Sequence, residues 1–431
     1  MIDETLLAET VVDGAEPGSP VASDDPAAPS AVDGTLVATQ VQLDAAEAYR
    51  RLRSIDFGEN IVAGGEITFV SDEAFAEARN LLDPTEPAFD LGDFDPTRGQ
   101  RFSSWETARH SGRGVESATI KLPKPSKIGV VVIDTKWHDG NQAQAAQLMV
   151  SKDGRAWIPI TMATPLQGHS VHVQRLEVPD EWNYICLFMF PDGGIARLRI
   201  YENVPAELDT LKPHDMHDPT AYGTLLTARH PDKIEKPTKE PFKGPSADDI
   251  VYHRRCTNWE KPVNLASINL GAKVIDKSDQ RYSHAENILK DDVPQDMGDG
   301  WENARFRLPL NQVLHDGYRE IWNHAEWLII ELSDRGLIEK IVTDFRYFNF
   351  NNPQSMEVEA WDSHGGGTLE QAEWKPLVAK TQVKSHASQA DVELPVTKPT
   401  VATHLRVKIY PCGGVHRIRA IGQVINQAPA A

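Results

Sequence analysis

The chain has 431 residues and a mass of 47.9 kDa, a length that suggests two or three domains. With 44 Lys+Arg against 63 Asp+Glu, its net charge is −19. That balance argues against a nucleic-acid partner and against docking on an anionic membrane, since both need clustered cations.

The acid surplus is concentrated at the start. Residues 1–49 carry ten Asp/Glu and no Lys or Arg, and Ala, Pro, Gly and Ser fill much of the rest. Residues 1–42 therefore read as a disordered acidic tail. The tail has neither the basic n-region nor the long apolar run of a secretory signal. No 18-residue apolar run follows, so no transmembrane helix is expected. Cys186, Cys256 and Cys412 are far apart. They suggest neither a disulfide framework nor a Cys-based zinc site, and cytoplasmic localisation is the simplest reading.

Leu43, Ala46, Tyr49 and Leu52 recur at helical spacing and predict a short amphipathic helix over 43–54. Strand-like segments then follow at 117–122, 127–135, 146–151, 184–190 and 196–204, rich in Val, Ile, Phe and Tyr. Seven prolines between Pro205 and Pro245 mark 205–262 as an interdomain linker, or as a segment wrapped over a domain surface. Strands return at 326–332, 337–345, 355–361, 404–411 and 416–424.

The two strand-rich parts repeat one another. SDEAFAEARNLL (71–82) matches SDQRYSHAENIL (278–289) at an offset of 207, and WETAR (105–109) matches WENAR (301–305) at 196. Asp134 and Asn141 match Asp344 and Asn351 at 210, and PDGGIARLRI (191–200) matches PCGGVHRIRA (411–420) at 220. A period near 200 residues is a whole domain rather than a solenoid unit. The expected architecture is all-β: two tandem sandwich domains, 43–204 and 263–426, without the alternating helices of a parallel sheet.

Four groups of polar residues stand out. Arg197 and Arg199 alternate onto one strand face after the Pro191–Gly194 turn, and Arg417 and Arg419 repeat the pattern. They read as a carboxylate clamp, or as a solvated face or internal ion pair. Trp105 beside Glu106, and Trp301 beside Glu302, fit a carboxyl desolvated for acid–base work, or a buried Trp with a loop-holding Glu–Arg pair to Arg109 or Arg305. Asp134 ends an apolar strand, ahead of Thr135, His138 and Asn141, and faces a cleft or caps a loop. His214 and His217 lie in the Pro-rich stretch and look like a metal cluster only superficially. No nucleotide-loop, HExxH or GxSxG motif occurs.

In their order, SDE…NLL, WETARH, DT…GN and PDGGIARLR, with their second-half counterparts, resemble the allantoicase family over roughly 55–204 and 263–426. The resemblance implies two tandem jelly-roll β-sandwiches of the galactose-binding kind. It also implies a hydrolase converting allantoate to ureidoglycolate and urea in purine degradation. Within it, Glu106, Glu302, Asp134 and His110 become catalytic candidates. Trp105, Arg109, Asn141, Asp192, Arg197, Arg199, Asp299, Trp301, Arg305, Asp344, Asn351, Arg417 and Arg419 become substrate-binding ones. The implied partner is a small ureido compound; homo-oligomerisation is left open, and so is help from a divalent metal. The chain departs from the family at Ser103-Ser104 for Asp-Gly, Asn303 for Thr, Cys412 for Asp and Phe345 for Thr. The segment 308–327 also looks long. The alternatives are a paralogue acting on another ureido or amidine compound in secondary metabolism, and a non-catalytic small-molecule or carbohydrate-binding module.

Overall fold

The computed structural model describes residues 45–96, 98–110, 113–210, 225–232, 241–305, 323–384 and 389–425. The acidic stretch 1–42, His214, His217 and most of 308–327 lie outside them. Each repeat builds one eight-stranded antiparallel sheet system around its own core.

In the first repeat, the 19-residue strand Glu116–Asp134 is the spine. Its first half pairs with Glu66–Val70 and with the C-terminal end of Ser170–Phe190. Its second half pairs with Arg197–Tyr201 and the N-terminal end of Ser170–Phe190. The sequence suggested two strands, split at Pro123-Lys124-Pro125. The chain instead stays extended through the prolines, and the register jumps between Lys121 and Ser126. Proline is tolerated there because an irregular bend needs no regular ladder donor. Glu326–Asp344 is the counterpart, with its irregularity between Glu331 and Gly336. Strands that change partners at a bend let one chain segment serve both layers of a sandwich.

Inward residues of these strands form the cores. Ile120, Ile128, Leu148, Ile185 and Leu187 pack around Trp105 in the first repeat. Leu328, Ile330, Phe345, Val407 and Ile409 pack around Trp301 in the second. Burial contributes about 25 cal/mol per Å² of apolar surface, or roughly 2 kcal/mol per large side chain. A smaller cluster lies on the outer face of the first sheet, where Leu52 of the helix Ala45–Ser54 meets Val130, Val132, Val171 and Ala228.

Parts of the Pro-rich stretch are structured. Leu225–Arg229 pairs with Ser170–Gln174 of the first sheet. Ala247–Cys256 is a helix closed by a Ser246/Asp249 capping box. Between the matches at Leu82 and Trp105, the repeat offset falls from 207 to 196. The first repeat therefore carries eleven residues that the second lacks, and they fall around the hairpin of strands Phe89–Asp95 and Gly99–Phe102. No helix among the described residues is long and apolar enough to cross a membrane.

Candidate active site between the repeats

The two-residue strand Trp105–Glu106 pairs with Gly194–Ile195, and Trp301–Glu302 pairs with Gly414–Val415. Two motifs distant in sequence are thus held side by side in each repeat. The glycines are sterically required. A Cβ on Gly194 would strike the His138 ring, and one on Gly414 would strike Phe348. Gly193 and Gly413 sit at φ 144° and 140°, against the Ala143 and Asn351 backbones respectively. Trp105 and Trp301 are fully buried and donate from Nε1 to the carbonyls of Asp72 and Asp279. The tryptophans belong to the core, and the glutamates beside them reach the interface.

There the repeats exchange ion pairs. Arg109 of the first repeat donates from Nη2 to Glu302 Oε1 at 3.0 Å, and Arg305 of the second donates to Glu106 Oε1 at 3.2 Å. Asn351 and Asn141 complete the same two oxygens at 2.7 and 3.0 Å. The backbone follows the same pseudo-twofold: Arg109 N donates to Phe350 O and Arg305 N to Gly140 O, at 2.7 and 2.8 Å. All four charged residues are under 10% exposed. Among the described residues, the Oε2 atoms of both glutamates take no protein donor, and Asn351 Oδ1 is buried without one.

The arrangement is nearly symmetric in geometry but not in charge. Arg305 also grips Asp192 at 2.6 Å, whereas the equivalent contact of Arg109 is the Cys412 thiol at 3.7 Å. Three carboxyl groups therefore share two guanidinium groups. Burial raises the Glu302 carboxyl above its ordinary range, against the pull of Arg109; burial likewise raises Asp192, against Arg305. Only Glu302 of these two borders open space. Asn303 keeps the turn contact, its Oδ1 accepting from Gly413 N at 2.9 Å as Thr107 Oγ1 accepts from Gly193 N at 3.1 Å.

Glu106, Glu302, Arg109, Arg305, Asn141 and Asn351 line one cavity of about 710 Å³. Phe75 and Tyr282, equivalent by the repeat, flank it and cover Arg305 and Arg109 at 5.8 Å. Trp137, Phe89 and Phe102 add an aromatic wall, and Asp139 is paired with Arg281 across the repeats at 2.6 Å. These residues were missed in the sequence. Phe75 and Tyr282 stand inside a recognised repeat, but an aromatic there gives no separate chemical signal.

Several expectations need correction. Arg197 and Arg417 are fully buried away from the cavity, and their donors serve the protein. Arg197 bonds the carbonyls of Thr85, Glu86 and Ser103. Arg417 bonds Asp292 and Asp299 with the carbonyls of Asn287 and Asp299. Arg199 reaches Thr85 O at 3.4 Å and Arg419 reaches Asp391 at 2.9 Å. None of the four lines the cavity, so they form no substrate clamp there. Asp299 is held by Arg417 and Lys290, and Ser103 meets Arg197 at the matching place.

Asp134 and Asp344 cap their loops, accepting from Lys136 N and Arg346 N. Asp134 is paired with buried His230 at 2.8 Å, and Asp344 with Arg346 at 2.8 Å. The catalytic role expected of Asp134 has no access to the cavity. His110 lies behind it, with Nε2 2.9 Å from Cys412 O and its backbone N–H on Asp192. Among the described residues, no cluster of three or more His, Cys, Asp or Glu is placed to hold a metal ion.

The allantoicase repeat model matches residues 59–205 and 263–425. A probable allantoicase of Pseudomonas fluorescens strain Pf0-1 is 28% identical over 373 residues, covering 84% of this chain and 94% of that protein. One from Schizosaccharomyces pombe is 28% identical over 392 residues, covering 88% and 95%. A crystal structure of allantoicase from Saccharomyces cerevisiae aligns at 25% identity over 88% of this chain and 96% of that one, with a TM-score of 0.31.

Proposed function

The chain belongs to the allantoicase family, both of its halves being matched by that family's repeat model, and from this we propose that it hydrolyses allantoate to ureidoglycolate and urea. The observation that carries a chemical role is Glu302. It borders the cavity with Oε1 fixed by Arg109 and Asn351, and burial favours its protonated form.

Allantoate has two ureido groups and a carboxylate on one carbon. Protonated Glu302 donates its proton to the nitrogen of the leaving ureido group. The C–N bond breaks with its electron pair on that nitrogen, and urea departs. The lone pair of the remaining ureido nitrogen forms a C=N bond to the central carbon. Water adds to that carbon and returns a proton to the Glu302 carboxylate, which restores the starting state. The Glu106 carboxylate supplies an acceptor for ureido N–H groups.

The aromatic wall of Phe89, Phe102 and Trp137 favours a second reading, a non-catalytic binding module of the same fold. The buried carboxyls favour the hydrolase. Purified protein incubated with allantoate, with and without added divalent metal, separates them. Urea release that is lost in Glu302→Gln supports hydrolysis. A folded wild-type chain that releases none refutes it.

A further inference from the structure

An anionic substrate entering this cavity meets the carboxyl groups of Glu106, Glu302 and Asp139, which line it. Its own carboxylate needs a cation that the protein has not already engaged. Arg109 and Arg305 are bound to Glu302, Glu106 and Asp192, and Arg281 is bound to Asp139. One more guanidinium lines the cavity, that of Arg98. It is exposed, and among the described residues it has no acidic partner, while its backbone N–H is fixed on Asp95 Oδ1 at 3.1 Å. Asp95 Oδ2 is bonded instead by Arg101 at 3.1 Å.

Arg98 sits on the hairpin Phe89–Phe102, in the region where the first repeat is longer than the second. The hairpin is anchored at both ends of its span. At its root, Phe89 stacks on Phe102 at 5.4 Å and on Trp137 at 5.5 Å. Near its tip, Pro96 O accepts from Met297 N of the second repeat at 3.2 Å. It therefore bridges the repeats at the cavity, and Phe89, Phe94, Gly99, Gln100 and Phe102 line the space beside Arg98. A planar guanidinium can take a carboxylate through two parallel hydrogen bonds.

We propose that Arg98 is the residue that binds the substrate carboxylate and that this hairpin is the element that selects a carboxylate-bearing ureido compound. The proposal rests on the hydrolase reading above and replaces the arginine pairs of the two Gly-Gly strands in the clamp role. Among the described residues the second repeat has no equivalent hairpin, so the carboxylate enters the cavity from one side only. That orientation directs one ureido group toward Glu302 and the other toward Glu106.

The test compares Arg98→Ala and Arg98→Lys with wild type in kcat and KM for allantoate. It adds dissociation constants for two unreactive probes: hydantoate, with one carboxylate and one ureido group, and its neutral amide. Loss of a charge-assisted hydrogen bond at an exposed site should raise KM and the hydantoate constant about tenfold at ordinary ionic strength. The amide constant should stay unchanged, and lysine should recover part of the loss. Unchanged hydantoate binding in Arg98→Ala, or equal loss for hydantoate and the amide, overturns the proposal. If wild type releases no urea yet discriminates hydantoate from its amide through Arg98, the hydrolase reading fails and the carboxylate site stands.

Discussion

Replacing Glu302 by Gln separates proton transfer from scaffolding. Glutamine keeps a carbonyl oxygen for Arg109 and Asn351, which now lie 3.0 and 2.7 Å from Oε1, but it has no proton to give. General acid–base catalysis is worth about 10²–10⁴ in rate, or roughly 3–5 kcal/mol of barrier. We expect kcat for urea release to fall by that factor, with KM changed far less. Where Glu302 is ionised, stability should fall too, because Arg109 then loses its carboxylate while buried. Breaking a buried pair outright costs about 3–5 kcal/mol. The retained acceptor, with Asn303 O at 3.0 Å from Nη1, brings the expected cost to about 2 kcal/mol. Glu106→Gln is the internal control. Arg305 keeps Asp192 at 2.6 Å, so that variant should lose less than about 1 kcal/mol.

The pH dependence follows from the raised Glu302 carboxyl. The native state holds a proton that the unfolded state releases earlier, so this group's contribution to stability falls as pH rises from the ordinary glutamate value through the folded one. Activity that needs the protonated form falls over the same rise, and Glu302→Gln should abolish both slopes. Urea-release kinetics and denaturant titrations at several pH values give all of these numbers. A Glu302→Gln enzyme within tenfold of wild-type kcat would refute the assignment, as would Glu106→Gln proving the more damaged of the two.

Other substitutions probe the surrounding structure. Arg417→Met removes a donor from two carboxylates and four carbonyls, and should lower stability by about 3 kcal/mol in denaturant titration while KM of the folded fraction stays near wild type. Trp301→Ala should cost about 3–5 kcal/mol by the same method, since the ring is fully buried in the second core. Burial holds His172 down at about 4, where Nε2 accepts from Gln167 N and Nδ1 faces Ile133 O. As pH falls from about 6.5 to about 4, the unfolded chain takes the proton and the folded one does not. That loss is about 3 kcal/mol, and the fall of melting temperature with acid should be shallower in His172→Gln.

Much of the fold was legible because β-periodicity and the internal repeat are properties of the chain itself. Apolar runs over 127–133 and 184–189 mark buried strands. The fusion of 117–122 with 127–134 was not legible, because Pro123 and Pro125 look like breakers until the bend that accommodates them is seen. In the site, Glu106, Glu302, Arg109, Arg305, Asn141 and Asn351 stood out by recurring in both repeats. Their exchange across the interface did not, since a sequence shows which residues repeat but not which copy pairs with which. The same blindness misassigned Arg197 and Arg417. Two arginines on a strand face read as a ligand site, whereas carbonyls from distant loops, at Thr85 and Asn287 among others, had already taken their donors. Phe75, Tyr282 and Arg98 carry ordinary residue types, and only the fold gives them a cavity to line.

The most direct measurement is a product-resolved time course by NMR of purified protein with allantoate. Urea and ureidoglycolate should appear together, one of each per allantoate consumed, and both should vanish with Glu302→Gln. A folded wild-type protein that consumes no allantoate, or one that forms urea as fast with glutamine at 302, would contradict this.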